Sequence, residues 1–165
     1  MNDATNQSDR AREVVEALAD HEDAIGDLYG AYGTRLTTAV GFWQGLSAEE
    51  YGHGSLMRDL VGPGHRLPRD HELDVFVDTQ RFPLPELRAA TRDVRDQIEV
   101  TATGRLTLTE ALETALAFEQ EMVERDAYQV FDGDTDSVAR VLNHLRSSSE
   151  RHRDAIRELL MRQKR

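Results

Sequence analysis

From about Ser8 the apolar positions recur in steps of three and four: Val15, Leu18, Ile25, Tyr29, Tyr32 and Leu36 share one stripe once position 22 is counted with them. That spacing predicts a long amphipathic helix. Gly26, Gly30 and Gly33 fall inside it. Each glycine costs about 1 kcal/mol relative to alanine in a helix interior, so packing against a neighbour has to offset the loss, and a missing side chain lets that neighbour come close. After a break near Thr37 and Thr38, Phe42, Leu46, Met57 and Leu60 form a second stripe that stops at Gly62-Pro63-Gly64. Residues 62–106 are irregular, hold all four prolines and carry one helical pattern over 86–100. Thr107-Leu108-Thr109-Glu110 reads as a capping box opening a third long helix, with Ala111, Thr114, Phe118, Tyr128 and Phe131 on its seam and Asp132-Gly133-Asp134 as its stop. Asp136 or Ser137 can cap a fourth helix, striped by Val138, Val141, Leu142, Leu145, Ile156 and Leu159.

The two ends of the chain echo each other at an offset of 99 residues: Glu22 with Glu121, Asp27 with Asp126, Tyr29 with Tyr128, Leu46 with Leu145, His53 with His152 and Leu60 with Leu159. The repeating unit is a helix pair, 9–61 and again 107–163, with 62–106 long enough to run back along the pairs and start the second in matching orientation. The expectation is a single all-α domain over residues 1–165: an antiparallel four-helix bundle of two repeated helix pairs joined by a long crossover connection.

Composition narrows the chemistry. With 165 residues a real core is within reach. The absence of cysteine excludes disulfides, thiolate zinc sites and iron–sulfur clusters, which leaves carboxylates and imidazoles as metal donors. A formal net charge of −11 argues against sequence-independent binding to nucleic acid or to an anionic membrane. No signal-like apolar stretch or uncharged run of membrane-spanning length occurs, so a cytoplasmic protein is expected.

Several polar residues lie on the apolar stripes. Glu22 is four after Leu18 and three before Ile25, which points its carboxylate inward. Glu50 follows Leu46 by four and His53 follows Glu50 by three, placing both on the inner face of the second helix. Glu121 sits between Phe118 and Tyr128, and His152 between Leu145 and Ile156. Burying unpaired carboxylates costs several kcal/mol or forces protonation, whereas one divalent cation neutralises two of them. A shared metal accounts for the whole set; iron or manganese suits mixed oxygen and nitrogen donors, and zinc is also compatible.

Glu22 with Tyr29 seven later, Glu50-Tyr51-Gly52-His53, Glu121 with Tyr128 seven later, and His152 together resemble the ferritin-like di-iron carboxylate proteins, most closely the rubrerythrin group. The resemblance covers the four long helices and not residues 62–106. It implies that Glu22 and Glu121 are terminal carboxylates, Glu50 a bridge, His53 and His152 imidazole ligands, Glu124 an extra carboxylate one turn after Glu121, and Tyr29 and Tyr128 donors to the ligand carboxylates. It departs at position 149, where the second bridging glutamate gives way to Ser149; Glu150 lies about 100° away and would need a π-bulge to turn inward, and Glu124 is the other candidate to replace the bridge. The implied centre is a di-iron or single-metal site.

Two kinds of function follow. One is a rubrerythrin-like peroxidase or ferroxidase, acting on peroxide or dioxygen with electrons from an external donor, since the chain has no rubredoxin module. The other is a metal-free bundle that serves as a binding protein or scaffold, with iron sequestration as a subunit of an assembly beside it; a homodimer is compatible with either. His21, His65, His71 and His144 match no pattern and read as surface or loop residues, with His21, beside Glu22, able to approach the mouth of the site.

Overall fold

The computed structural model describes residues 2–61, 76–77, 83–124, 131–132 and 136–165. Those residues form α1 (Asn2–Arg35), a 3-10 turn (Thr37–Ala39), α2 (Val40–Val61), β1 (Phe76–Val77), α3 (Leu84–Thr103), α4 (Leu108–Glu124), β2 (Phe131–Asp132) and α5 (Asp136–Gln163). Among the described residues the regular structure is helical apart from the two-residue strands, which pair antiparallel, Phe76 with Asp132 and Val77 with Phe131. Among the described residues no helix is long and apolar enough to cross a membrane.

The third long helix begins as its sequence dictates. Glu110 accepts a 2.8 Å hydrogen bond from the Thr107 amide, and the Glu110 amide donates to the Thr107 hydroxyl at 3.2 Å, so the capping box closes reciprocally. Its end differs from the expectation. α4 is described as far as Glu124, and Phe131, read as a seam residue, lies in β2, so the helix does not reach it. Aromatic and β-branched residues suit a strand as well as a helix, and a short apolar run does not separate the two by spacing alone. The helical pattern at 86–100 is present as α3, which packs along α1.

The core consists of two apolar regions. One gathers Val14, Val15, Leu18, Met57, Leu60, Leu87, Leu142 and Leu145; the other gathers Ile25, Leu28, Tyr29, Tyr32, Trp43, Leu46, Val94, Leu112, Ala115 and Ile156. Along α1 the first stops at Ala19 and the second starts at Ala24; along α2 the gap runs from Leu46 to Met57, and along α5 from Leu145 to Ile156. Buried polar side chains occupy that interval on all three helices.

His21, expected at the surface, is buried at this level. Its Nδ1 lies 3.2 Å from the Thr91 hydroxyl, which itself donates to the Leu87 carbonyl at 3.0 Å, so the histidine joins α1 to α3. α3 thus covers a second side of α1, besides the side that α2 covers.

Close approach of α1 and α2 depends on small residues. A Cβ on Gly26 would meet the Ser47 carbonyl oxygen at 3.3 Å and the Glu50 Cβ at 3.4 Å; one on Gly54 would collide with the Asp23 carboxylate and stand 3.0 Å from the Ala19 carbonyl oxygen. Asp23 can swing aside only by loosening its 2.6 Å pair with Arg58, and the Ala19 carbonyl is backbone that cannot swing aside. Gly54→Ala is therefore expected to destabilise the protein by about 1–3 kcal/mol. Gly52, on the open side of the same helix, has nothing within 4 Å of its Cβ position, and Gly52→Ala should stabilise by about 0.5–1 kcal/mol. Urea midpoints of the two variants, measured side by side, check both signs.

Candidate metal centre

The polar layer is built from four helices. Glu22 comes from α1, Glu50 and His53 from α2, Glu119 from α4 and His152 from α5, all buried. Glu22, Glu50 and His53 offer donor atoms within 4.8 Å of one another; Glu50, Glu119 and His152 do the same. Glu50, 2% exposed, belongs to both groups. Its Oε2 lies 2.9 Å from His53 Nδ1, and its Oε1 lies 2.6 Å from His152 Nδ1. Glu22 Oε2 approaches His53 Nδ1 at 3.4 Å, and Glu119 Oε1 approaches His152 Nδ1 at 3.7 Å. The two imidazoles stack at 5.5 Å between centroids, 23° from parallel. Each oxygen of one carboxylate thus faces its own imidazole and its own second carboxylate.

Glu121, expected as the interior carboxylate of the third long helix, is in neither group and is only half-buried. Glu119 stands in its place, and two residues turn a helix by about 200°. Burial along α4 follows α1 at an offset of 97: Val14 with Ala111, Val15 with Leu112, Leu18 with Ala115 and Glu22 with Glu119 are buried pairs. α2 and α5 keep 99, as in Leu46 with Leu145 and His53 with His152. The chain between Glu119 and position 149 is two residues longer than the chain between Glu22 and Glu50, so no ungapped alignment brings both helices into phase.

Ser149 is buried three residues before His152 on α5, while Glu150 is exposed; α5 is α-helical throughout, with no bulge to turn Glu150 inward. Glu124 is the last described residue of α4; its side chain and Tyr128 lie outside the described residues, as do His65 and His71. Tyr29 is fully buried and donates from its hydroxyl to Glu119 Oε1 at 2.7 Å, with its ring held 5.5 Å from that of Trp43. It therefore reaches the carboxylate of another helix rather than one on its own.

Glu49 escaped sequence reasoning because it falls off the apolar stripe of α2. Its Oε2 lies 3.0 Å from His152 Nε2, and its side chain is 52% exposed. His152 is thereby held at both nitrogens, one facing the buried donors and one facing a carboxylate at the surface. Around Glu49 stand Arg151, at 3.6 Å, and the Ser148 hydroxyl, at 3.4 Å.

The electrostatics follow from three carboxylates and two imidazoles packed in a dry layer. Burial and the charges of Glu22 and Glu119 raise Glu50 to about 8. Burial also disfavours the Glu22 anion, but hydrogen bonds from His53 and Glu50 outweigh it and lower the group to about 2. The two acids behave as one unit that holds a single proton across the neutral range. Burial disfavours the His53 cation; hydrogen bonds to Glu22 and Glu50 and the charges of both overcome this and raise it to about 9. His152 is raised to about 11 against the same burial, by hydrogen bonds and charges of Glu119 and Glu50. Burial and the Glu119 charge push the Tyr29 phenol well up, so it remains a donor. With no cation bound, protons take the positions that a metal would compete for.

No protein-family model, characterised protein or solved structure matches this chain. The buried Glu/His groups can hold a metal ion on their own geometry, and the helical fold is compatible with a ferritin-like arrangement.

Proposed function

We propose that the chain is a ferritin-like four-helix bundle, two helix pairs joined by a crossover, that holds two metal ions and works as a rubrerythrin-like oxidoreductase on peroxide or dioxygen. The observation that carries this reading is the membership of Glu50 in both donor groups, one oxygen toward each imidazole. Glu22 and His53 would complete one metal position, Glu119 and His152 the other. Iron fits an oxygen-rich set with one imidazole per position; manganese and zinc fit the same donors. Iron held by these residues would supply reducing electrons for peroxide or dioxygen, with an external donor to replace them.

The chain's own residues have separable tasks. Glu22, Glu50 and Glu119 bind and neutralise charge, and the flanking apolar regions exclude bulk water. Tyr29 holds Glu119 in one orientation through its hydroxyl proton. Glu49 fixes the tautomer and ring plane of His152 and can take a proton from Nε2 out to solvent. Removing such an orienting partner typically costs about 10–100-fold in metal affinity. Glu49→Ala is expected to show a loss of that size in a competitive chelator titration, with the stoichiometry unchanged.

Metal analysis of protein expressed with iron, together with peroxide consumption by the reduced form, tests the proposal. Two ions per chain and turnover with an added reductant are the expected results. Protein that takes up neither iron, manganese nor zinc would overturn it and leave the scaffold reading, which the internal pairing of acids with imidazoles favours.

A further inference from the structure

If two divalent cations sit at this centre, their four positive charges meet only three carboxylates, Glu22, Glu50 and Glu119. The imidazoles are neutral when they ligate. The next acid outward, Glu49, is already balanced by Arg151 at 3.6 Å. One positive charge is left over in a layer where an uncompensated ion is strongly disfavoured. The place where that imbalance arises can be named. At the offset of 99 that relates His53 to His152, Glu50 corresponds to Ser149, buried one turn before His152 on the inner side of α5. A neutral serine, whose hydroxyl stands in place of a glutamate's second methylene and carboxylate, occupies the position where a second bridging acid would complete the charge.

Resting on the metal reading above, we infer that the metal-loaded centre takes up one small carboxylate from solution beside Ser149, which supplies the bridge that the chain omits. Acetate, formate and bicarbonate belong to this class; each presents two oxygens spaced like those of Glu50. The rim beside this point is hydroxylated and, with Arg151 matched by Glu49 at 3.6 Å, neutral as a pair: the largely exposed Arg151 guanidinium lies 2.9 Å from the Ser148 hydroxyl on the residue next to Ser149. It offers an arriving carboxylate a hydrogen-bond donor, while the attraction would come from the bound cations. No chemical step is involved; the carboxylate replaces water or hydroxide on the cations.

Cobalt(II) serves as a redox-quiet probe whose visible spectrum reports its ligands. Full-length protein loaded with cobalt is titrated with acetate, with cobalt stoichiometry read from the same samples. Saturable binding of one acetate per chain is expected in the wild type and in Ser149→Ala, which keeps the charge deficit. Ser149→Glu supplies the missing acid internally and should weaken acetate at least about tenfold, or about 1.4 kcal/mol, while still taking up two cobalt ions. Ser149→Asp carries the same charge on a shorter side chain and gives the same readout if the glutamate variant does not fold. Two cobalt ions per chain with no spectral response to acetate, or equal acetate affinity in wild type and the acidic variants, overturns this inference and leaves the metal reading standing. Failure to take up cobalt removes both.

Discussion

Glu50→Ala is expected to abolish binding of both metal ions, whereas Glu22→Ala or Glu119→Ala should weaken one position and leave the other. Glu50 is the only residue common to the two donor groups, and its oxygens point to different imidazoles, 2.9 and 2.6 Å away. Its removal takes one anionic donor from each position at once and destroys the link between them. Glu121→Ala is the matched control. It deletes a carboxylate from the same helix as Glu119, but the side chain is half-buried and outside both groups, so stoichiometry should not change. Isothermal titration with a divalent cation distinguishes these outcomes: two sites for wild type and Glu121→Ala, one strong site for Glu22→Ala and Glu119→Ala, none for Glu50→Ala. Two intact sites in Glu50→Ala would remove the shared-ligand geometry from the account.

Metal affinity should rise steeply with pH, while the stability of the metal-free protein moves the other way. At pH 7 the Glu22–Glu50 unit carries a proton that leaves at about 8, and His53 and His152 carry protons that leave at about 9 and 11. Loading both cations displaces all three. Below pH 8, the overall constant for binding two ions is therefore expected to change by up to about a thousandfold per pH unit, with close to three protons released per chain at pH 7. The sign for the metal-free fold is opposite. His53 and His152 are raised above their ordinary value of 6.5, so their contributions are full below that pH and are lost as pH climbs through 9 and 11. Glu50, raised from 4.5 to about 8, adds a loss over that window, whereas Glu22, lowered to about 2, contributes above 4.5 and is lost only in strong acid. Thermal melts between pH 6 and 9 should fall with pH in the presence of a chelator, and the stabilisation given by saturating metal should grow. Parallel trends in the two series would refute this coupling.

The helices were legible because their stripes are long and their ends punctuated: Gly62-Pro63-Gly64 follows α2, and the Thr107–Glu110 box begins α4 where the amide bonds are found. Glu22, Glu50, His53 and His152 were legible for the same reason, as polar residues in phase with Leu18, Leu46 and Leu145. Glu119 was not, because the echo between Glu22 and Glu121 assumed equal connections within the two pairs. A signal for it was nevertheless present: Ala111, Ala115 and Glu119 follow one another at i, i+4 on the buried side of α4. Glu49 and the contact of His21 with Thr91 depend on how separate helices meet, joining residues 103 and 70 positions apart. No periodicity within one helix contains that information.

The polar layer also acts as a vernier between rods that would otherwise be free to slide. Leucine against leucine tolerates a shift of one helical turn, since hydrocarbon meets hydrocarbon on either side of it. A comparable shift of α5 along α2 would carry His152 off Glu50 and toward the Leu46 side chain on one side or His53 and Gly54 on the other, while Glu50 lost one of its two imidazoles. The band of acids and bases thus selects a single axial setting for the helices and makes the near-neighbour settings expensive, whether or not a cation ever arrives.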